Sequence, residues 1–187
     1  MIIAETDRLI IRNWRETDRE LVYEINSDEA VMEFFPFRRD RDEANVFFDR
    51  VHAMIAGTGL GFFALEEKAS GETIGFCGLA RVDHLEPHIP KGTLEIGWRL
   101  AARFWGKGFV TEAARALLAH AFERLGAGEI VSFAVHDNAR STAVMERIGM
   151  RRVEGGDFDH PGVPATHPHL KRHVLYRLTT AEWRSGR

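Results

Sequence analysis

The sequence predicts an α/β chain in which a mixed sheet is flanked by helices, and three observations carry that reading. Short β-like runs bounded by turn residues come early in the chain. Strand and helix patterns then alternate toward the C-terminus, and the helical stretches show clean apolar stripes repeating every three to four residues. With 187 residues, 44% hydrophobic and 28% charged, the chain is long enough for one well-buried core and short for two, so a single domain is expected.

The elements follow in order. Leu9 to Trp14 reads as a strand. Thr17 to Ser27 places Leu21, Val22 and Ile25 at helical spacing behind polar capping candidates. Asp40 to Ala56 repeats the pattern through Val46, Phe47, Val51 and Ile55, with Gly57 and Gly59 ending it. Leu60 to Glu66 and Thr73 to Val82 are β-like runs around the turn Ala69-Ser70-Gly71, as in a hairpin. Asp83 to Lys91, with Pro87 and Pro90, is a loop, and Leu94 to Leu100 is a strand. Val110, Ala113, Ala114, Leu117, Leu118, Ala121, Phe122 and Leu125 form one helical stripe closed by Gly126. Ile130 to Val135 is a strand, Asn138 to Ile148 a short helix closed by Gly149, and Arg172 to Leu178 a terminal strand.

Composition excludes several functional classes. A formal charge of −3 and a pI near 6.3 give no general basic footprint, so no nucleic-acid partner is expected. The single Cys77 cannot form an internal disulfide, which favours a reducing compartment. Met1 to Glu5 has neither a basic flank nor a long apolar stretch, so no signal peptide and no membrane partner are read, and a cytoplasmic location is expected. His160, His167, His169 and His173 lie close in sequence, but Lys171 stands among them and Pro161, Pro164 and Pro168 make most of the segment a loop. No metal is expected there. A substrate contact or an alternate base is the better use of such a histidine.

The segment that carries chemistry is Arg103-Phe104-Trp105-Gly106-Lys107-Gly108-Phe109, between a strand and an amphipathic helix. Gly106 and Gly108 let the backbone approach a ligand, and the helix behind them opens with N–H groups that have no partner inside it. Val110 belongs to that first turn. Together these read as a phosphate cradle. A P-loop would place Lys-Ser/Thr after the second glycine, and a dinucleotide fingerprint would need a third glycine; neither fits.

The spacing Arg103-x-x-Gly106-x-Gly108 resembles the Arg/Gln-x-x-Gly-x-Gly/Ala pyrophosphate motif by which GNAT N-acetyltransferases hold coenzyme A. Asn138 to Met150 resembles that family's second signature, Asn-x-x-Ser/Ala followed by a helix ending in Gly-Phe/Met. Glu5 to Arg12 is similar to the opening strand of its Rim-type branch, the ribosomal-protein N-terminal acetyltransferases. The resemblance covers nearly the whole chain. It implies a single GNAT domain over 1–187, with a mixed, mostly antiparallel sheet of about six to seven strands and a β-bulge at the acetyl-CoA site. It also implies acetyl-CoA as co-substrate and a primary amine as acceptor, either a protein N-terminus or a small molecule. Relatives pair through exposed sheet edges, so a homodimer is compatible with it.

Residue by residue, the resemblance makes Glu95 the first candidate for the general base, since the attacking amine must lose a proton. A purely structural bond to a neighbouring strand or basic group is the competing reading. Gly97 is placed at the kink that frees an N–H toward the acetyl oxygen, and Trp98 to Leu100 along pantetheine. Arg103 and Lys107 suit phosphate by charge. Phe104, Trp105 and Phe109 cover adenine or pantetheine, or else belong to the core. Asn138 binds pantetheine amides or caps its helix, and Ser141 is the candidate acid for the leaving thiolate, because Met145 stands where many relatives carry tyrosine. Phe34-Phe35-Pro36-Phe37 lies where relatives build one wall of the acceptor site, although a core plug is the favoured reading. Cys77 looks packed, so direct attack in a ternary complex is expected. The alternative is a non-catalytic acyl-CoA-binding or sensing module, which would keep Gly106, Gly108 and Asn138 without needing Glu95.

Overall fold

The computed structural model describes residues 1–186. In chain order the elements are β1 (Ile2–Glu5), β2 (Leu9–Arg12), α1 (Arg19–Ser27), α2 (Arg41–Thr58), β3 (Gly61–Glu67), β4 (Thr73–Val82) and β5 (Thr93–Leu100). There follow α3 (Phe109–Glu123), β6 (Glu129–Val135), α4 (Ala139–Arg147), β7 (Arg151–Arg152), β8 (Phe158–Asp159), β9 (Arg172–Thr179) and α5 (Thr180–Ser185). The nine strands form a mixed, mostly antiparallel sheet. Residues Met1–Leu79 with Gly97–Leu117 make one compact unit, and Ala80–Ile96 with the chain from Leu118 onward make a second.

In the first unit β1, β2, β3 and β4 are successive antiparallel neighbours. Leu9, Ile11, Phe63, Leu65 and Ile74 are fully buried, as are Ile25 of α1 and Ile55 of α2. Burying side chains of this size stabilises by about 1.5–3 kcal/mol each. Helix α2 begins at a capping box, Asp40 accepting from the Glu43 amide at 2.9 Å while Glu43 accepts from the Asp40 amide at 3.1 Å. It ends at Gly59, which takes the left-handed conformation at φ 72° and donates to the Ile55 carbonyl. Gly57 lies inside the helix instead of ending it.

One polar cluster is enclosed in this unit. The guanidinium of Arg12, 3% exposed, donates to Asp18 at 2.8 and 3.2 Å, to Glu66 at 2.7 Å and to Thr73 at 2.8 Å. Burial alone would raise the Asp18 carboxyl. The bonds from Arg12, the Arg15 amide and Thr73 outweigh it and hold the group below the usual carboxylate range.

In the second unit β5 pairs with β6 in parallel, Leu94 opposite Ile130 and Glu95 opposite Val131. Strand β9 runs antiparallel to β6, and β7 and β8 pair with β9. Its core gathers Val82, Leu85, Ile89, Val131, Phe158 and Leu175.

The strand count of nine exceeds the expected six to seven because β1, β7 and β8 are only two to four residues long. Such runs are too short for an alternation to show. Helix α5 was also invisible to periodicity, at six residues, although Thr179 and Glu182 form its capping box.

Asp18→Ala should lower unfolding stability by about 3 kcal/mol at pH 7, because it strips a buried guanidinium of its main partner. The wild-type advantage should persist above the unfolded carboxylate pKa and disappear as pH falls through the lower native value. Urea unfolding across pH reads both.

Candidate functional site

The glycine-rich segment lies in the first unit, after β5. A 3-10 turn over Ala102–Phe104 leads out of the strand, and α3 starts at Phe109. Gly106 and Gly108 adopt φ 74° and 80°, a region costly for any residue with a Cβ. Nothing stands within 4 Å of where a Gly106 Cβ would be, so the glycines serve conformation and leave the surface open. The Glu112 amide donates to the Gly108 carbonyl at 3.1 Å, which makes Gly108 the entry to the helix. The amides of Phe109 and Val110 therefore have no acceptor within α3. This geometry fits a phosphate.

The side chains around the segment divide sharply. Phe104 and Phe109 are buried and pack edge to face at 6.4 Å, as core residues do. Leu100 is buried, and its carbonyl accepts from the Trp105 indole at 3.0 Å. Trp98, Trp105 and Val110 are half-buried. Arg103 is committed elsewhere: it is paired with Glu24 and, at 2.6 Å, with Glu72. Its charge is thus largely answered before any phosphate arrives. Lys107 is exposed, with Nζ 5.0 Å from the centre of the Phe104 ring.

Two residues that sequence reasoning missed complete this end. Glu112, in the first turn of α3, accepts from Thr6 at 2.6 Å and from the Arg8 amide and Nε at 2.9 and 2.6 Å. Arg8 also donates to the Lys107 carbonyl at 2.9 Å and lies over the Phe109 ring. Arg8 therefore brings a second cation to the loop while neutralising Glu112. An acidic residue in a first helical turn is a signal the sequence did offer; the partner from about a hundred residues earlier had none.

Phe34, Phe35 and Phe37 are outside the buried core, which corrects the core-plug reading. Phe35 faces the guanidinium of Arg99 at 4.2 Å, and Phe37 that of Arg39 at 4.5 Å. Phe37 is exposed, and Phe34 and Phe35 are half-buried.

In the second unit, Glu95 is half-exposed to water at most, and burial pushes its carboxyl up to about 7. Burial is the sole cause, because no cation is placed to offset it. One residue on, the Ile96 carbonyl accepts from the buried Ser132 hydroxyl at 2.9 Å. A side chain takes over the ladder's work where the β5–β6 pairing of Leu94 and Glu95 stops. Ser132 was not foreseen, since a lone serine in an apolar run reads as ordinary strand.

Asn138 caps α4: its Oδ1 accepts from the Ser141 amide at 3.1 Å. Its Nδ2 donors have no partner among the described residues. The Ser141 hydroxyl is partly accessible, and Met145 is buried, so no hydroxyl replaces the missing tyrosine at that position. His160 and His173 are 4.9 Å apart, beside Phe133 and Phe158. Burial, then the neighbouring histidines, bring His160 down to about 4, so both rings are neutral packing elements near pH 7. His167 and His169 precede β9 and do not join that row. Among the described residues no three His, Cys, Asp or Glu side chains come together in a way that would hold a metal. Cys77 is fully buried, and burial raises its thiol far from a reactive range. No helix among the described residues is long and apolar enough to cross a membrane.

Comparison with known proteins adds independent information. The model of a family described as "Acetyltransferase (GNAT) domain" matches residues 8–151. The chain is 31% identical over 174 residues to FsC-acetyl coenzyme A-N(2)-transacetylase of Aspergillus fumigatus, covering 88% of this chain and 71% of that one. It is 37% identical over 107 residues to YdaF of Bacillus subtilis, whose naming as a ribosomal N-acetyltransferase is provisional; that match spans 57% of this chain and 55% of the other. The fold agrees with an acetyltransferase of the same family from Bacillus anthracis at a TM-score of 0.76 and 26% identity, over 97% and 99% of the two chains.

The Glu95 carboxyl makes a prediction independent of activity. The native state keeps its proton from about pH 4.3 to about 7 while the unfolded chain has lost it, so stability falls across that window. Glu95→Gln removes the penalty. It should match the wild type near pH 4 and exceed it by up to about 3 kcal/mol at pH 8.5 in urea unfolding.

Proposed function

The chain belongs to the GNAT acetyltransferase family, an acetyl-CoA-dependent N-acetyltransferase, and on that premise we propose that it acetylates a primary amine by direct attack within a ternary complex. The observation that supports this reading most is Glu95, a desolvated carboxyl without a counter-charge and with a proton affinity near neutrality. A base with that affinity accepts a proton from an ammonium or its attacking amine at physiological pH, whereas an ordinary surface glutamate is a far weaker one. The family match runs through 8–151, and so through residues of both compact units, which supports treating the chain as one functional domain.

The proposed roles follow from the chemistry of each group. Acetyl-CoA supplies the thioester. The amides at the start of α3, made approachable by Gly106 and Gly108, would hold its pyrophosphate, with Lys107 as nearby positive charge. Main-chain groups of Trp98 to Leu100 and the free Nδ2 of Asn138 would hold the pantetheine. The amine nitrogen attacks the carbonyl carbon, its proton passes to Glu95, and the C–S bond breaks as the C–N bond is established. A thiolate with a pKa near 8.5 leaves with little help, and the Ser141 hydroxyl would relay a solvent proton to it, giving up one and taking one from water. Arg103, held by Glu24 and Glu72, takes a structural part in this scheme.

Glu95→Gln should reduce turnover by 10² to 10⁴-fold, roughly the contribution of a positioned base, while acetyl-CoA affinity measured by calorimetry stays within twofold. In the wild type, kcat/KM should rise with pH through about 7, and the variant should lose that limb. Gly108→Ala should act in the opposite manner, weakening acetyl-CoA binding about tenfold because its backbone must leave φ 80° or bear the strain.

A further inference from the structure

Arg99 of β5 is a half-buried cation without an anion to meet it. Its Nε touches neither solvent nor any acceptor. Its Nη1 donates to the Asn26 Oδ1 at 2.8 Å, and no carboxylate among the described residues forms an ion pair with it. The same oxygen already accepts from Arg39 Nη1 at 2.6 Å. Two guanidinium groups thus converge on one neutral atom. Asn26 is fixed in that role, being fully buried, with its Nδ2 donating to the Val22 carbonyl at 2.7 Å. Burial, then the charge of Arg39, pulls the Arg99 guanidinium down to about 9, and burial followed by Arg50 lowers Arg39 against a weaker opposing effect of Glu43.

Aromatic rings supply part of the missing negative field. Arg99 lies 4.2 Å from the centre of Phe35 and 5.4 Å from that of Phe76; Arg39 lies 4.5 Å from Phe37 and 4.8 Å from Phe47. Such contacts answer a cation only in part, since no ring carries a formal charge. Arg12 shows what this chain does when a buried arginine is purely structural: two carboxylates surround it.

The pair also sits beside the strand that the proposed chemistry uses. Phe76 packs against Phe62 with centroids 5.1 Å apart, and the Phe62 ring lies 3.1 Å from where a Gly97 Cβ would stand. An aromatic wall therefore runs from Gly97 to the two arginines. We propose that Arg99 and Arg39 bind an oxyanion of the acceptor, so that the amine substrate carries a carboxylate or phosphate next to an apolar part. This rests on the acetyltransferase reading, in which β5 carries the proposed base Glu95 and its main chain at Trp98 to Leu100 holds pantetheine, leaving the Arg99 side chain for the acceptor. Arg99 acts as a specificity residue and takes no part in proton transfer.

The test uses the full chain with phenylacetate and phenyl phosphate as oxyanion probes and phenylacetamide as the neutral control. Binding is followed by the arginine Nε–Hε resonances and by calorimetry, with acetyl-CoA affinity measured in parallel. The proposal expects at least one oxyanion to shift the Arg99 resonance saturably and to bind about tenfold to a hundredfold more tightly than the amide, as for hydrogen bonds to a charged group. Carboxylate and phosphate are told apart by which probe binds. Arg99→Met and Arg39→Gln should lose that preference, Arg99→Lys should keep part of it, and Arg99→Met should melt no lower than the wild type, since it removes an unpaired charge. Equal binding of the amide, or no shift at Arg99 with acetyl-CoA bound normally, overturns the proposal and leaves the acetyltransferase reading standing. An Arg99→Met variant whose acetyl-CoA affinity falls in step also overturns it, by giving the pair to the donor. Failure of the wild type to bind acetyl-CoA would instead remove the premise itself.

Discussion

A charge taken out of water must be answered by another charge or by dense hydrogen bonding, and this constraint organises the molecule. Arg12 obeys it fully. Asp18, Glu66 and Thr73 surround its guanidinium and tie the end of β2 to the start of α1, to β3 and to β4. Along β5 the same constraint is left open in two places. Glu95 is desolvated with no cation to offset it, and Arg99 shares a neutral carboxamide oxygen with a second arginine. Groups of this kind are enriched where a protein does chemistry or meets a ligand, and they also occur in structural networks.

The glycine-rich segment follows a different logic. It relies on backbone, with Gly106 and Gly108 holding positive φ at the entry to α3 so that the first amides of the helix point outward. Side chains there act mainly on one another. Arg8 answers Glu112, and Arg103 is bound by Glu24 and Glu72. A cradle built from main chain tolerates wide variation in sequence, provided the glycines remain.

Much of this was readable from residue order. The long helices α2 and α3, the hairpin of β3 and β4, and strands β5, β6 and β9 emerged from periodicity and punctuation, because each is long enough to repeat its pattern. Strands β1, β7 and β8 were invisible for the opposite reason. Among the candidate residues, Gly106 and Gly108 stood out by type and spacing, and Glu95 through the resemblance to the acetyltransferase family. Arg8 and Ser132 did not, since their partners are set by the fold and not by neighbours in sequence. Arg99 held a signal of its own: an arginine near the end of a mostly apolar β-like run, two residues from a strand glycine. The aromatic loop was misjudged because the cations facing Phe35 and Phe37 are distant in sequence or hidden in a mixed-charge stretch.

The account stands or falls on acetyl transfer to nitrogen. The most direct measurement is acetyl-CoA-dependent thiol release across a panel of small amines and N-terminal peptides, with the mass of every product determined. The account predicts that at least one amine releases thiol well above the enzyme-free rate and gains a single acetyl group on nitrogen. Thiol release that never exceeds that background for any amine, in a protein that binds acetyl-CoA, would contradict it.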